Sequence, residues 1–514
     1  LFTVVNDNQQ RERAPRSTYM PRRTEVPGRR RADPRPRPAG HVWDRGGNVT
    51  PVFAREGRSA PHPAPAALPF ARMSNLTRTS PAPLAPARTL REVKLNCDPD
   101  VPLESSDQRW EDLSLARGDD ALQSLERELK WREPERFVHA AFVSHRGSGK
   151  STEILRLVDR VEELYTTVYI PATIEMNPFE IEAEDLLLTI AIAVEAEMAR
   201  RGTPLASELL ERVVKWFDDV VRTTKWAAGF QGEAAVGLEG KVGVPMAATL
   251  FGSLKALFKT DSEYRTEVKQ VLRKYPGTLL QSVNDILDEA THALGGRALL
   301  VVIDNLDRYD PEVIDRLLVA SSDRIRQLRC NLLLTPPIGL LLQPKSAQLD
   351  RIYSCHFLYA VRLRAPDQAY DCFDGPGRDL LEKALARRID LDTMIPRKAV
   401  RDRLISASGG AIRELLNLVS QACLLARGET IEEDDVERAL SKRKQRLRDL
   451  INANGWMSAL VTIARDKQIS PDQKCLDVLF HYLAFKYDGD GWYDIHPLVA
   501  EIPEFERARR GDDR

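Results

Sequence analysis

The stretch "VSHRGSGKST" at residues 143–152 restricts what this chain can fold into more than any other. It fits the phosphate-binding pattern G-x-x-x-x-G-K-[ST] at every position but the first, where Ser144 stands instead of glycine. Gly147 and Gly149 remain to relieve the turn. Small residues let successive backbone N–H groups curl around a phosphate, and a following helix aims its positive dipole end at the same place. That chemistry needs a strand before the loop and a helix after it. "RFVHAAFV" before it is apolar and rich in Phe and Val, as a buried strand requires. "STEILRLVDRVEELY" after it carries Ile154, Leu155, Leu157, Val158 and Val161 at helical spacing.

The loop therefore predicts a nucleotide held by Arg146, Gly147, Ser148, Gly149, Lys150, Ser151 and Thr152. Lys150 is expected on the β- and γ-phosphates and the Ser151 hydroxyl on Mg²⁺. A second motif completes the prediction. In "ALLVVIDNLDR", 298–308, Leu299 to Ile303 read as a fully buried strand with Asp304 at its carboxyl end. Ligands of parallel α/β sheets bind at that edge, so Asp304 is expected to hold Mg²⁺, through water, opposite Ser151. Asp307, three residues on, is a candidate for polarising an attacking water. "RCNLLLTPPIG" reads as a further strand ending in Thr335, whose hydroxyl is a candidate contact for a γ-phosphate or its water.

A chain of 514 residues exceeds one ordinary core, so several folded units are expected. Its formal charge of −1 gives no global pull towards nucleic acid or anionic membrane. The six cysteines are scattered without a C-x-x-C pair, which argues against zinc and disulfide frameworks and suits a reducing cytoplasm. The apolar stretches, such as "LLLTIAIAV" from 186, are too short to cross a bilayer. Residues 1–95 are basic and rich in Pro and Arg, as in "PRRTEVPGRRRADPRPRPAG", and are expected to be a disordered extension.

The folded part divides, on this reading, into a nucleotide-binding core over 105–365, a helical region over 366–450 and a small C-terminal piece over 451–514. Helix is expected from Arg109 to Trp131, a short strand at "TTVYIPATI", and a helical, glycine-rich insertion at about 175–290. Within that insertion, residues 227–252 read as a β-hairpin-like element or a glycine-rich loop. "CHFLYAVRLR" supplies the last strand of the core. Beyond it, Gly409 and Gly410 separate two amphipathic helices, and Arg413 opens the second. The basic run "SKRKQRLR" at 441–448 reads as a solvated helix face. At the end, Leu476, Leu479 and Leu483 mark a helix, and "DGDG" at 488–491 is strong turn chemistry for a hairpin.

The order of phosphate loop, long insertion, "VVIDNLD", "NLLLT" and a helical region with "GGAIRELL" resembles the AAA+ ATPases and their signalling relatives, the STAND NTPases, including the KAP-type group. The resemblance covers residues 105 to 450. It implies an α/β P-loop NTPase fold with a parallel five-stranded sheet, a helical lid and a winged-helix-like C-terminal piece. Asp304 then matches the Mg²⁺-binding acid, Thr335 the first sensor, and Arg413 the second sensor, carried by the lid onto the γ-phosphate. Many AAA+ members follow the Mg²⁺ acid with a catalytic Glu, but this chain has Asn305, which cannot act as a base; slow hydrolysis follows. Arg324, Arg326 and Arg329 are candidates for the family's trans-acting arginine.

Three functions follow as expectations. The first is an ATP-driven switch that signals to a partner protein or to copies of itself. The second is a DNA-engaged ATPase like the origin-recognition branch of AAA+. The third is a nucleotide-binding scaffold without turnover.

Overall fold

The computed structural model describes residues 86–118, 120–177, 179–221, 252, 254–257, 259, 263–342, 346–488 and 491–511. All lie within one compact unit spanning 67–514. Helices of seven residues or more are α1 (Leu90–Asn96), α2 (Ala121–Lys130), α3 (Lys150–Arg160), α4 (Ala183–Arg200), α5 (Ser207–Val221), α6 (Glu263–Leu272), α7 (Pro276–Ala293), α8 (Gly377–Ala386), α9 (Lys398–Ala407), α10 (Ile412–Leu425), α11 (Glu433–Asn454), α12 (Met457–Asp466), α13 (Gln473–Phe480) and α14 (Pro503–Arg510).

Five strands form a parallel sheet in the order β2 (Tyr165–Pro171), β3 (Ala298–Asp304), β4 (Asn331–Leu334), β1 (His139–Ser144) and β5 (Ser354–Leu358). The α/β class and the five parallel strands are those expected. In β3, six of the seven residues are buried, as a strand covered on both faces requires. One face packs on a cluster that includes Ile154 and Leu157 of α3 with Leu122 and Leu125 of α2. The other face belongs to the main core, which draws on α4, α7 and the helices after the sheet.

This topology sets the site. β1 lies between β4 and β5, and its carboxyl end feeds the phosphate loop directly into α3. β3 ends at Asp304 on the same edge, paired in register with Pro171 of β2. A second, two-stranded antiparallel sheet, β6 (Ala484–Tyr487) with β7 (Trp492–Ile495), forms the expected C-terminal hairpin.

Several boundaries differ from expectation. Residues 90–95, assigned to the disordered extension, are helical. Thr89 and Glu92 cap α1 reciprocally, and Val93 is fully buried. The remainder of that extension up to 85 lies outside the described residues, as does the glycine-rich element at 227–252 apart from Gly252. Among the described residues between Arg109 and Trp131, only a 3₁₀ turn at Ser114–Ala116 and α2 are helical, and Asp120 caps α2 from within the segment. The strand at 166–174 stops at Pro171, where a short helix, Ala172–Glu175, takes over. The last core strand ends at Leu358; beyond it Ala360 pairs instead with Tyr487 of the hairpin. No described helix is long and apolar enough to cross a membrane.

Candidate functional site

Gly147 and Gly149 both adopt positive φ, +77° and +101°, which L side chains rarely sustain. Gly149 is the N-cap of α3, so Lys150 and Ser151 begin the helix beside the loop. A Cβ on Gly147 would also meet Arg413 Cδ at 2.6 Å and would collide with the Tyr482 hydroxyl. Glycine is needed there on both counts.

Ser144, at the position where the motif has glycine, works as a hub. Its hydroxyl pairs with Ser148 Oγ at 2.6 Å and accepts from Lys150 Nζ at 2.9 Å. Lys150 also donates to the His145 carbonyl at 3.2 Å and forms a buried ion pair with Asp307 at 2.7 Å. Asp307 thus stands at the tip of Lys150, carried there by a 3₁₀ turn, Leu306–Arg308, whose N-cap Asn305 is left-handed at φ 69°. Asn305, in place of a base, instead donates its backbone N–H to Asp304 Oδ1 at 2.7 Å.

Asp304 is 1% exposed and accepts from four donors. Ser151 Oγ reaches Oδ2 at 2.6 Å, and the Tyr169 hydroxyl donates to the same oxygen. Oδ1 takes the Asn305 N–H and the Thr335 hydroxyl, the latter at 3.1 Å. Burial, then the Asp304 charge, keeps the Tyr169 hydroxyl protonated far above its usual range. The hard oxygens of Ser151 and Asp304 form a donor pair that suits Mg²⁺.

Loop, Asp304 and Asp307 share one cavity of about 910 Å³, whose far wall comes from Asp98–Leu103, Trp110 and Leu113. That volume falls in the range of small-molecule sites. Arg413 lines it. Its backbone N–H donates to the Gly147 carbonyl at 3.2 Å, and its guanidinium pairs with Asp100 at 2.8 Å. The Nε of Arg413 and the hydroxyl of Tyr482 are buried without a hydrogen-bond partner among the described residues. Unpaired buried donors beside a phosphate loop fit an anionic ligand.

The candidate residues are not all placed alike. Arg146, Gly147, Ser148, Gly149, Lys150, Ser151, Thr152, Asp304, Asp307 and Arg413 line the cavity. Thr152, however, spends its hydroxyl on the Leu103 N–H at 3.1 Å, tying the far wall to α3. Thr335 is fully buried behind Asp304 and supports that carboxylate rather than facing the cavity. Of the trans-acting candidates, Arg324 pairs with Glu184 and Arg329 with Asp288 within the chain. The basic run at 441–448 is not merely solvated. Arg443, Lys444 and Arg448 pair with Glu414, Glu501 and Glu504, binding α11 to α10 and to the C-terminal helices.

Sequence reasoning missed three contributors. Arg117, 4% exposed, donates to the Ser148 carbonyl at 2.7 Å and clamps the loop from its N-terminal side. Tyr169 joins Asp304 from β2. The C-terminal hairpin reaches the loop itself. Lys486 N–H donates to His145 Nε2 at 2.7 Å, and the His145 and Phe485 rings meet edge-on with centroids 5.7 Å apart. Burial first, then Lys150 and Lys486, pushes the His145 imidazole down to about 3, so it stays a neutral acceptor. The "GSGKST" spacing flags only contiguous residues. Nothing local marks a tyrosine or arginine that arrives from another element.

No model of a known protein family matches the chain, and no curated protein does. Among solved structures it is similar to Cdc6p from Pyrobaculum aerophilum, at 11% identity over 76% of this chain and 94% of that one, TM-score 0.31. It is similar to a Walker-type ATPase of Pyrococcus abyssi at 15% identity, 74% and 93% coverage, TM-score 0.35. A third is the Aeropyrum pernix Orc1 protein, solved with DNA, at 13% identity, 76% and 93% coverage, TM-score 0.34.

Proposed function

We propose that the chain binds ATP with Mg²⁺ at the 144–152 loop and acts as a nucleotide-driven switch of the AAA+/STAND type, with slow hydrolysis. One observation carries the reading. The phosphate loop is hydrogen-bonded both to the lid helix, through Arg413 N–H to Gly147, and to the C-terminal hairpin, through Lys486 N–H to His145. A ligand that reshapes the loop must therefore act on both elements.

In this reading Lys150 and the loop N–H groups hold the β- and γ-phosphates, and Ser151 and Asp304 hold the metal. Magnesium supplies neutralisation of charge on the phosphate oxygens. Asp307 orients water, in the absence of a glutamate at Asn305. Arg413 exchanges Asp100 for the γ-phosphate, a contact that ADP does not offer. The moving lid and hairpin then present a changed surface to a partner protein or a second copy of the chain.

Binding of a fluorescent ATP analogue tests the foundation. The parent should bind it in Mg²⁺ and Lys150→Ala should not, since Lys150 is the buried cation of the loop, 4% exposed. Undiminished affinity in the variant would refute the assignment.

A further inference from the structure

We infer that Tyr169 is the positioning residue for the metal-holding carboxylate, a role that no motif in the sequence assigns to it. The inference rests on reading Ser151 and Asp304 as the magnesium site. Tyr169 lies two residues before the end of β2, opposite Val302 in the β2–β3 register, and so below Asp304 at the strand edge. Its ring packs against the cluster beneath α3, and its hydroxyl reaches up to Asp304 Oδ2.

The geometry of Asp304 makes that hydroxyl matter. A carboxylate has about four lone-pair directions. Here they are taken by Ser151 and Tyr169 on Oδ2 and by Thr335 and Asn305 N–H on Oδ1. Ser151 must turn its proton away from Asp304 if its oxygen is to ligate a cation. Three donors then remain to fix the carboxylate's rotation, and Tyr169 is the one among them that holds Oδ2. It also lines the cavity, where Thr335 does not. The aromatic body alone would satisfy the packing, so a phenylalanine would fill the space equally. The hydroxyl is what orients the oxygen that faces Ser151. Outer donors of this kind tune metal affinity without touching the metal.

Tyr169→Phe removes that one oxygen and little else. In titrations of a fluorescent ATP analogue, the variant should bind as the parent does in EDTA. The Mg²⁺ concentration for half-maximal enhancement should rise by roughly 10- to 100-fold. In an Asp304→Asn background the same substitution should add no further shift, because Tyr169 acts through that carboxylate. An unchanged Mg²⁺ midpoint would overturn the proposal. So would an equal loss of nucleotide affinity with and without the metal, which marks a merely structural tyrosine. If the parent's own nucleotide binding ignores Mg²⁺, the Ser151–Asp304 reading fails, and this inference falls with it.

Discussion

Lys150 and Asp307 form a buried pair at 2.7 Å, with neither side chain more than 8% exposed. An unpaired charge at that depth is costly, so each holds the other in place. In the proposed reading the pair places Asp307 beside the phosphates that Lys150 would hold. Asp307→Asn keeps an acceptor for Lys150 but removes the negative charge. It should leave ATP binding within a few-fold of the parent and lower turnover by about 10² to 10⁴, the usual cost of losing a positioned base. Phosphate release at saturating ATP measures this, and parental turnover in the variant would place the base elsewhere. At this scale much was legible. Gly147 to Ser151 are contiguous, and Asp304 ends an unmistakable apolar run, so local pattern sufficed. The pairing of Asp307 with Lys150, the retreat of Thr335 behind Asp304 and the clamp by Arg117 depend on register and on chain brought from 31 to 157 residues away.

Among the elements, the C-terminal hairpin has the most to say. Its helix was readable from Leu476 and Leu479, but it ends at Phe480, so Leu483 lies beyond it; two residues of "DGDG", 489 and 490, lie outside the described residues, while the strands that flank it pair as expected. Where the hairpin docks was not readable, because docking is written in shape. Phe485 fills the space over Gly409, where a Cβ would meet its ring at 2.9 Å, and Tyr487 donates to the Gly409 carbonyl. Glu414, next to Arg413 on α10, joins His496 and Arg443. Burial works against its charge, yet those partners outweigh it and hold its carboxyl at about 2. The contact with the loop itself carries a pH signature. The folded His145 titrates at about 3, whereas an unfolded histidine titrates near 6.5. Below about pH 6.5 the unfolded chain takes up a proton that the folded chain refuses, so stability falls as pH drops from there towards 3. At about one unit below 6.5 this amounts to about 1.4 kcal/mol. His145→Gln keeps an acceptor for Lys486 N–H and removes the titration. In denaturant melts between about pH 7.5 and 5.5, the parent should lose about 1.4 kcal/mol more than the variant. Equal losses would show that the imidazole is not held neutral against the hairpin.

Across the whole molecule, the sheet edge, helix α10 and the β6–β7 hairpin converge on one loop. The five-stranded parallel sheet was expected because the order of motifs resembles that of the AAA+ ATPases, and the individual strands at 139–144 and 298–304 were legible as apolar runs. The convergence was not, since Gly147, Arg413 and Lys486 are separated by more than three hundred residues of sequence in all. In the proposed reading, nucleotide on the loop is felt by both attached elements. Hydrogen–deuterium exchange of residues 412–425 and 484–495, with and without ATP and Mg²⁺, tests it most directly. ATP should change exchange in both segments of the parent and in neither segment of Lys150→Ala. Nucleotide bound to the parent with exchange unaltered in both segments would contradict it.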